Sequence, residues 1–131
     1  MNEDLAVFTA VYWWTDKINK EQPHSINESQ LVKFREKLAE FIYSEIATDL
    51  VMGYDGASVW IYCDDYPCKL LSYAAVSAGI SESIFPHRVD MVIESFDGGE
   101  TYEVMVSDKC GQPYEGLYPD YKRYALKKGE V

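Results

Sequence analysis

The chain has 131 residues, enough for one domain with a sizeable core and few for two, and its 47% of apolar residues excludes an intrinsically disordered protein. No apolar run approaches the roughly 18 to 20 residues of a membrane span, so we expect no membrane partner. The net charge of −10 is concentrated between residues 49 and 108, and such an acidic middle repels phosphate backbones, which disfavours direct binding of nucleic acid.

The first third of the chain predicts a helical hairpin. Apolar side chains recur every three or four positions over residues 3–19 and, more strongly, over 26–49, which is the spacing of an amphipathic helix. Pro23 in the intervening loop blocks helix continuation, and Ser25 or Asn27 can cap the second helix. The acidic start of the chain, MNEDLAVF, lacks the basic residues of a secretory signal, so we expect a cytoplasmic protein.

A strand and a broken helix follow. The stretch ASVWIYC, residues 57–63, is β-branched and aromatic and comes after the turn-forming GYDG, which predicts a strand. Residues 67–78 predict a helix with a stripe of leucine and alanine side chains, small enough for close packing. Gly79 suits the left-handed residue after a helix end, and Ser81 suits the cap of a short second turn, so that the chain re-aims its next apolar side chains into the core.

The third predicted unit is a β-hairpin. Residues 88–96 and 101–107, RVDMVIESF and TYEVMVS, flank DGGE, which is typical of a hairpin turn. With Gly98–Gly99 at the tip, Ile93 pairs with Val104. One face is then expected to belong to the core: Val89, Met91, Ile93, Tyr102, Val104 and Val106. The opposite, outer face carries Asp90, Val92, Glu94, Phe96, Thr101, Glu103 and Met105.

This register places two like charges face to face. Glu94 lies directly across from Glu103, an arrangement that is destabilising unless something compensates. A basic partner, a cation, the nearby Arg88 and Lys109, or plain solvent screening can do so. Apolar side chains flank the pair, so either another helix or a partner is expected to cover this face: Val92, Phe96 and Met105.

Residues 109–131 form a Tyr- and Lys-rich extension of one domain, 1–131, whose core is 3–108. Within it, Pro119 can start a short last helix that Gly129 ends, with lysines in its last turn. The alternative is a tail that folds on a partner. The predicted fold class is therefore α+β, in which an N-terminal helical hairpin, a strand, a broken small-residue helix and a β-hairpin form one sheet packed on helices.

This order of elements resembles the BTG/Tob anti-proliferative domain. The similar pieces cover residues 4–108: DLAVFTAVYWW, QLVKFREKLAEFI, SVWIYC, LLSYAAVSAGISESIFP, VDMVIE and YEVMVSD. The most specific part runs from Ala74-Ala75 through Gly79-Ile80-Ser81 to Phe85-Pro86. The resemblance implies a small, non-enzymatic adaptor domain of BTG type that docks on the nuclease subunit of a deadenylase complex and on transcription factors.

The chain departs from that family where the family contacts its partner. Gly56 occupies the place of a contact tyrosine, Val92 replaces a contact tryptophan, and FDGG lengthens the hairpin. We therefore expect the fold to transfer and the deadenylase partner not to. The corresponding surface is the candidate partner-binding site: Gly56, Trp60, Val92, Glu94, Phe96, Glu103 and Met105.

Carboxylates are plentiful, but no motif arranges them for catalysis. The sequence contains no G-x-S-x-G, P-loop or G-x-G-x-x-G. A Cys63–His87 nucleophile pair is conceivable, whereas two buried structural residues are the simpler interpretation. The three cysteines, Cys63, Cys68 and Cys110, are odd in number and poorly spaced for zinc. We therefore expect no enzyme activity, no cofactor and no metal.

The leading hypothesis is a non-catalytic adaptor that binds another protein, a basic one being suited to the acidic surface. A first alternative is an acidic mimic of nucleic acid, of phage or mobile-element origin, that inhibits a nucleic-acid enzyme. A second alternative is a carboxylate-based hydrolase or cation binder that uses Glu94 and Glu103.

Overall fold

The computed structural model describes residues 2–21, 26–51, 56–86, 88–108 and 114–118. Within them the chain is α+β, with three α-helices, one short 3-10 turn and a four-stranded antiparallel sheet in the order β1-β2-β3-β4. The elements along the chain are α1 (Asn2–Glu21), α2 (Glu28–Val51), β1 (Ala57–Cys63), α3 (Lys69–Ala78), the 3-10 turn (Glu82–Ile84), β2 (Val89–Ser95), β3 (Glu103–Ser107) and β4 (Glu115–Tyr118).

The sequence predicts both long helices: α1 is slightly longer than the predicted 3–19, whereas α2 begins and ends two residues later than the predicted 26–49. Asn27 caps α2: its Oδ1 accepts from the Gln30 amide over 2.8 Å, while its own amide donates to Gln30 Oε1 over 3.0 Å, which is a reciprocal capping box. Pro23 and Ser25 lie outside the described residues. None of the described helices combines the length and the apolar character that crossing a bilayer requires.

The broken helix is confirmed. α3 ends at Gly79, whose φ of 71° is left-handed, and the amide of Ile80 reaches back to the carbonyl of Ala75 over 2.9 Å. Ser81 then caps the 3-10 turn by accepting from the Ser83 amide. Pro67 precedes α3 rather than starting it, and instead forms a β-bridge with the end of β1.

The core lies between the helices and one face of the sheet. Trp14 of α1 is fully buried, and its ring meets that of Phe85 edge-on with 6.3 Å between the ring centroids. The ring of Phe34 on α2 packs against the same ring with 6.0 Å between centroids. The re-started chain after Gly79 therefore brings Phe85 to the centre of the helical layer. All six hairpin side chains that were predicted to face the core are buried: Val89, Met91, Ile93, Tyr102, Val104 and Val106.

The hairpin has the predicted register. Ile93 lies opposite Val104, and Glu94 lies opposite Glu103. Gly98 and Gly99 both have positive φ, as the tip requires. β1 pairs with β2 along its whole length. It stands first in the strand order, so it is one edge of the sheet.

The other edge, β4, was not predicted. It pairs with β3 through a register shift between Val104 and Met105. The helix predicted between Pro119 and Gly129 lies outside the described residues, as do Lys109 and Cys110.

The open side of β1 is partly occupied by its own chain. The Ser58 amide donates to Asp49 Oδ2 over 3.1 Å at one end of the strand. At the other end, the Cys68 amide donates to the Tyr62 carbonyl over 2.9 Å.

Candidate functional site

The sheet has one face toward the helices and one face away from them. In β1 the burial strictly alternates: Val59 and Ile61 join the core, whereas Trp60 and Tyr62 point outward. Glu94 and Met105 face the same way, because pairing aligns Glu94 with Ser58 and, through Val92, Met105 with Trp60. All seven residues predicted for the candidate site lie on or at the margin of this outer face: Gly56, Trp60, Val92, Glu94, Phe96, Glu103 and Met105.

One row of residues crosses the middle of the outer face. Trp60, Val92, Met105 and Gly116 are consecutive partners on the four strands. Trp60 is 49% exposed and Met105 is partly buried, but Val92 is only 2% exposed although it is not part of the main core. Val92 is therefore covered from the outer side, and it supports this surface rather than presenting a side chain to a partner.

The ring of Tyr114 packs against Trp60 on this face. Tyr114 directly precedes β4, on the far edge of the sheet from β1, yet its ring contacts that of Trp60 edge-on at 6.4 Å. Because β2 and β3 separate these two elements, the rings meet above the middle strands. Burial, together with the nearby Asp90 carboxylate, raises the pKa of Tyr114. Sequence analysis did not include Tyr114, because its place on this face depends on β4.

We call the outward apolar side chains of this surface the outer aromatic patch: Trp60, Tyr62, Val92, Phe96, Met105 and Tyr114. Phe96 is 71% exposed and lies at the end of the sheet that is nearest the hairpin tip. It borders a shallow cavity of about 300 Å³, whose other walls come from the end of α2 and the start of β1: Asp49, Gly56, Ala57, Ser58 and Ser95. An exposed ring beside a cavity is a typical anchor point for a partner side chain.

Gly56 contributes to this region through its lack of a side chain. A Cβ at this position would lie 1.7 Å from the carbonyl oxygen of Ser95, so no other residue fits without a shift of the backbone. A side chain as large as tyrosine is therefore excluded at this position by the backbone at the end of β2. The backbone just before β1 and the backbone at the end of β2 lie too close together here to leave room for a side chain.

Acids border the patch. The outward positions of the four strands hold Asp90, Glu94 and Glu103 and no lysine or arginine. Across the described part of the chain, the ion pairs that involve lysine or arginine join other acids: Lys17–Asp108, Arg35–Glu28 and Lys37–Glu40. No group of three or more His, Cys, Asp or Glu side chains in the described ranges is arranged to hold a metal ion.

The acid at the hairpin tip has a structural task. Asp97 Oδ1 accepts from the amides of Glu100 and Thr101 over 3.0 and 2.9 Å and from the Ser95 hydroxyl over 3.1 Å. The Thr101 hydroxyl donates to the other carboxylate oxygen. Hydrogen bonds from Thr101, Ser95 and Glu100 lower the pKa of Asp97, so its charge holds the tip.

The possible nucleophile is poorly suited to attack. Cys63 is buried at the end of β1, and burial, with smaller contributions from Cys68 and Asp64, raises the pKa of its thiol to about 11. A thiol reacts as the thiolate, which such a pKa keeps scarce at neutral pH. Cys63 borders a cavity of about 340 Å³, but its suggested partner His87 lies outside the described residues.

The fold and this surface define an α+β protein whose sheet has one face in the core and one aromatic, acid-bordered face turned away from its helices. No protein-family model matches the chain, and no curated protein matches it.

Proposed function

We propose that the protein is a non-catalytic interaction module of BTG/Tob-like fold that binds a basic protein surface with the outer face of its sheet. The observation that carries the proposal is the outer aromatic patch. Four large rings are exposed on a face that the described helices leave uncovered: Trp60, Tyr62, Phe96 and Tyr114. Exposed apolar groups of this kind, bordered by polar residues, are typical of protein-interaction sites.

The charges on this face favour a basic partner. Glu94 and Glu103 repel one another across the strand pair, and a lysine or arginine of a partner relieves that repulsion. A guanidinium can also stack on the faces of Trp60 and Tyr62, which gives a cation–π contribution. Arginine is the residue best suited to use both features of this face at once.

The test is affinity capture by three forms of the full chain. The first is the unchanged chain, and the second combines Trp60→Ala with Phe96→Ala. The third is a matched control that combines Tyr73→Ala with Val76→Ala, two exposed apolar residues on α3. Val92 is left unchanged because its burial makes any substitution a test of folding.

We expect a partner that the unchanged chain and the control both retain and that the patch variant loses. The purified partner should bind about 30-fold more weakly to the patch variant, because loss of an interface anchor costs about 2 kcal/mol or more. Equal binding by the patch variant would remove the patch from the interface.

Salt separates this proposal from an acidic mimic of nucleic acid. Binding through the aromatic rings should persist at high ionic strength, since screening weakens only the contribution of the acids. Binding that disappears steeply with salt, survives Trp60→Ala and is lost on neutralising Asp90, Glu94 and Glu103 would favour the mimic instead.

A further inference from the structure

The cavity beside Phe96 is a small pocket with two chemically different walls. Its volume of about 300 Å³ lies at the lower end of the roughly 300 to 1,000 Å³ of small-molecule pockets, which suits a single side chain. The largely exposed ring of Phe96 forms one wall, and Asp49 at the end of α2 forms another. A group that enters this pocket therefore meets an aromatic face and a carboxylate.

Asp49 has one carboxylate oxygen to offer to such a group. Its Oδ2 accepts from the Ser58 amide over 3.1 Å, which holds the side chain against the open side of β1. Within the described ranges, its Oδ1 accepts no hydrogen bond and forms no ion pair. Because a carboxylate can accept through both oxygens, Oδ1 is left to a donor from another molecule.

The surroundings of Asp49 are negative. Asp49 lies in the last turn of α2, where the backbone carbonyls give the helix end a partial negative charge, and that turn contains no basic residue. Glu94 adds a second carboxylate nearby, because it is the partner of Ser58 in the pairing of β1 with β2. The lining residues given above include no lysine or arginine. The pocket therefore favours a positively charged group.

The two walls select one kind of cation. A metal ion needs several oxygen ligands, and the described part of the chain has no group of three or more His, Cys, Asp or Glu side chains arranged to hold one. A guanidinium is planar, so it can stack on the ring of Phe96 while its N–H groups donate to Asp49. An ammonium lacks both the flat face and the fork of donors.

We propose that the cavity beside Phe96 binds an arginine side chain of the protein partner, with the guanidinium stacked on the Phe96 ring and donating to Asp49 Oδ1. The binding of a guanidinium follows from the pocket alone. Its assignment to a protein partner rests on the proposed function, to which it adds the identity of one partner residue.

The pocket is tested first in the full chain without any partner. The probes are N-acetyl-arginine methylamide, its lysine analogue and its neutral citrulline analogue, each titrated at millimolar concentration. We expect the arginine probe to shift the NMR signals of the Gly56, Ser58 and Phe96 amides. The lysine probe should bind more weakly, and the citrulline probe should leave the signals unchanged, because it keeps the shape but lacks the charge.

Three substitutions assign the binding to the two walls. Asp49→Asn keeps an oxygen for the Ser58 amide but removes the charge, and it should weaken the arginine probe about tenfold. Phe96→Leu keeps an exposed apolar side chain but removes the ring, and it should weaken the probe about threefold. Glu45→Gln, at an exposed position one turn earlier on α2, is the matched control and should leave the affinity unchanged.

Equal shifts with the arginine and citrulline probes, or an affinity that Asp49→Asn leaves unchanged, would overturn the proposal. With a purified partner, Asp49→Asn should weaken binding by the same factor as it weakens the probe, and an unchanged partner affinity would overturn the assignment to the partner. Trp60→Ala alone tests the proposed function separately. A partner that this variant still loses would leave the proposed function standing even if the arginine probe fails to bind.

Discussion

The side chain of Gln30 donates a hydrogen bond to the backbone carbonyl of Gly79 over 2.9 Å. The oxygen of the same side chain closes the capping box with Asn27. One residue thus connects the start of α2 with the left-handed residue that ends α3. The break in the small-residue helix is therefore anchored to a neighbouring helix as well as produced by its own glycine.

Gln30→Ala should lower the free energy of unfolding by about 1 kcal/mol, because it removes both side-chain hydrogen bonds at an exposed site. Gln30→Glu separates the two, since a carboxylate still accepts from Asn27 but cannot donate to Gly79. Its stability should lie between those of Gln30→Ala and the unchanged chain. Urea denaturation measures all three, and a Gln30→Glu variant as stable as the unchanged chain would show that the bond to Gly79 contributes nothing.

Gly56→Ala should lower the free energy of unfolding by about 3 kcal/mol, because the new Cβ cannot lie 1.7 Å from the Ser95 carbonyl and the strands must shift. Gly98→Ala is the matched control. A Cβ there meets no atom within 4 Å, so the cost is only that of a left-handed φ of 72°, about 1 kcal/mol.

Amide hydrogen exchange shows where each glycine acts. Gly56→Ala should speed exchange at the paired ends of β1 and β2, near Ala57 and Ser95, whereas Gly98→Ala should affect the tip alone. A Gly56→Ala variant with unchanged exchange in this region would contradict the close approach of the two strands.

Trp14→Ala should be the most destabilising of the tryptophan substitutions, by about 3 to 5 kcal/mol, because it empties a fully buried site against Phe85. Trp60→Ala, on the outer face, should cost about 1 kcal/mol or less. Trp14→Phe should cost less than Trp14→Ala, since it keeps a ring and removes an indole N–H that has no hydrogen-bond partner within the described part of the chain. Equal costs for Trp14→Ala and Trp60→Ala in urea denaturation would place Trp14 outside the core.

Cys63 should react slowly with iodoacetamide at pH 7 and faster as the pH approaches 11, because its raised pKa keeps the thiol protonated. The folded chain holds this proton more tightly than the unfolded chain, whose thiol ionises near pH 9.0. The contribution of Cys63 to stability is therefore complete below pH 9 and is lost as the pH rises toward 11. Mass spectrometry of a Cys110→Ser variant follows the alkylation, and rapid modification of Cys63 at pH 7 would contradict its burial.

The sequence predicts the hairpin down to its register because two local signals agree there. The glycine pair fixes the tip, and a slip of one residue from that register would turn the apolar set that includes Val89, Ile93 and Val104 to the outer face. Gly79 and Ser81 are predictable from local chemistry as well, since glycine favours the left-handed φ that ends α3 and the serine hydroxyl can accept the Ser83 amide at the start of the 3-10 turn.

The parts that sequence analysis missed depend on contacts between distant residues. β4 has only four residues, no alternation of its own and a register shift in its pairing. It therefore forms because it pairs with β3, and not because its own residues favour a strand. Without β4, neither the position of Tyr114 nor the burial of Val92 can be inferred. The requirement for glycine at position 56 depends likewise on the Ser95 carbonyl, 39 residues further along the chain.

The hydrogen bonds at the two ends of β1 have a consequence for how other chains can approach. An edge strand recruits foreign strands through its unpaired amides and carbonyls. In β1 the Ser58 amide already donates to the Asp49 side chain, and the Tyr62 carbonyl already accepts from the Cys68 amide. The backbone of Trp60 therefore lies between two positions that are already hydrogen-bonded. A visiting strand needs several consecutive backbone bonds to bind, so this border of the molecule resists both fibril growth and β-augmentation.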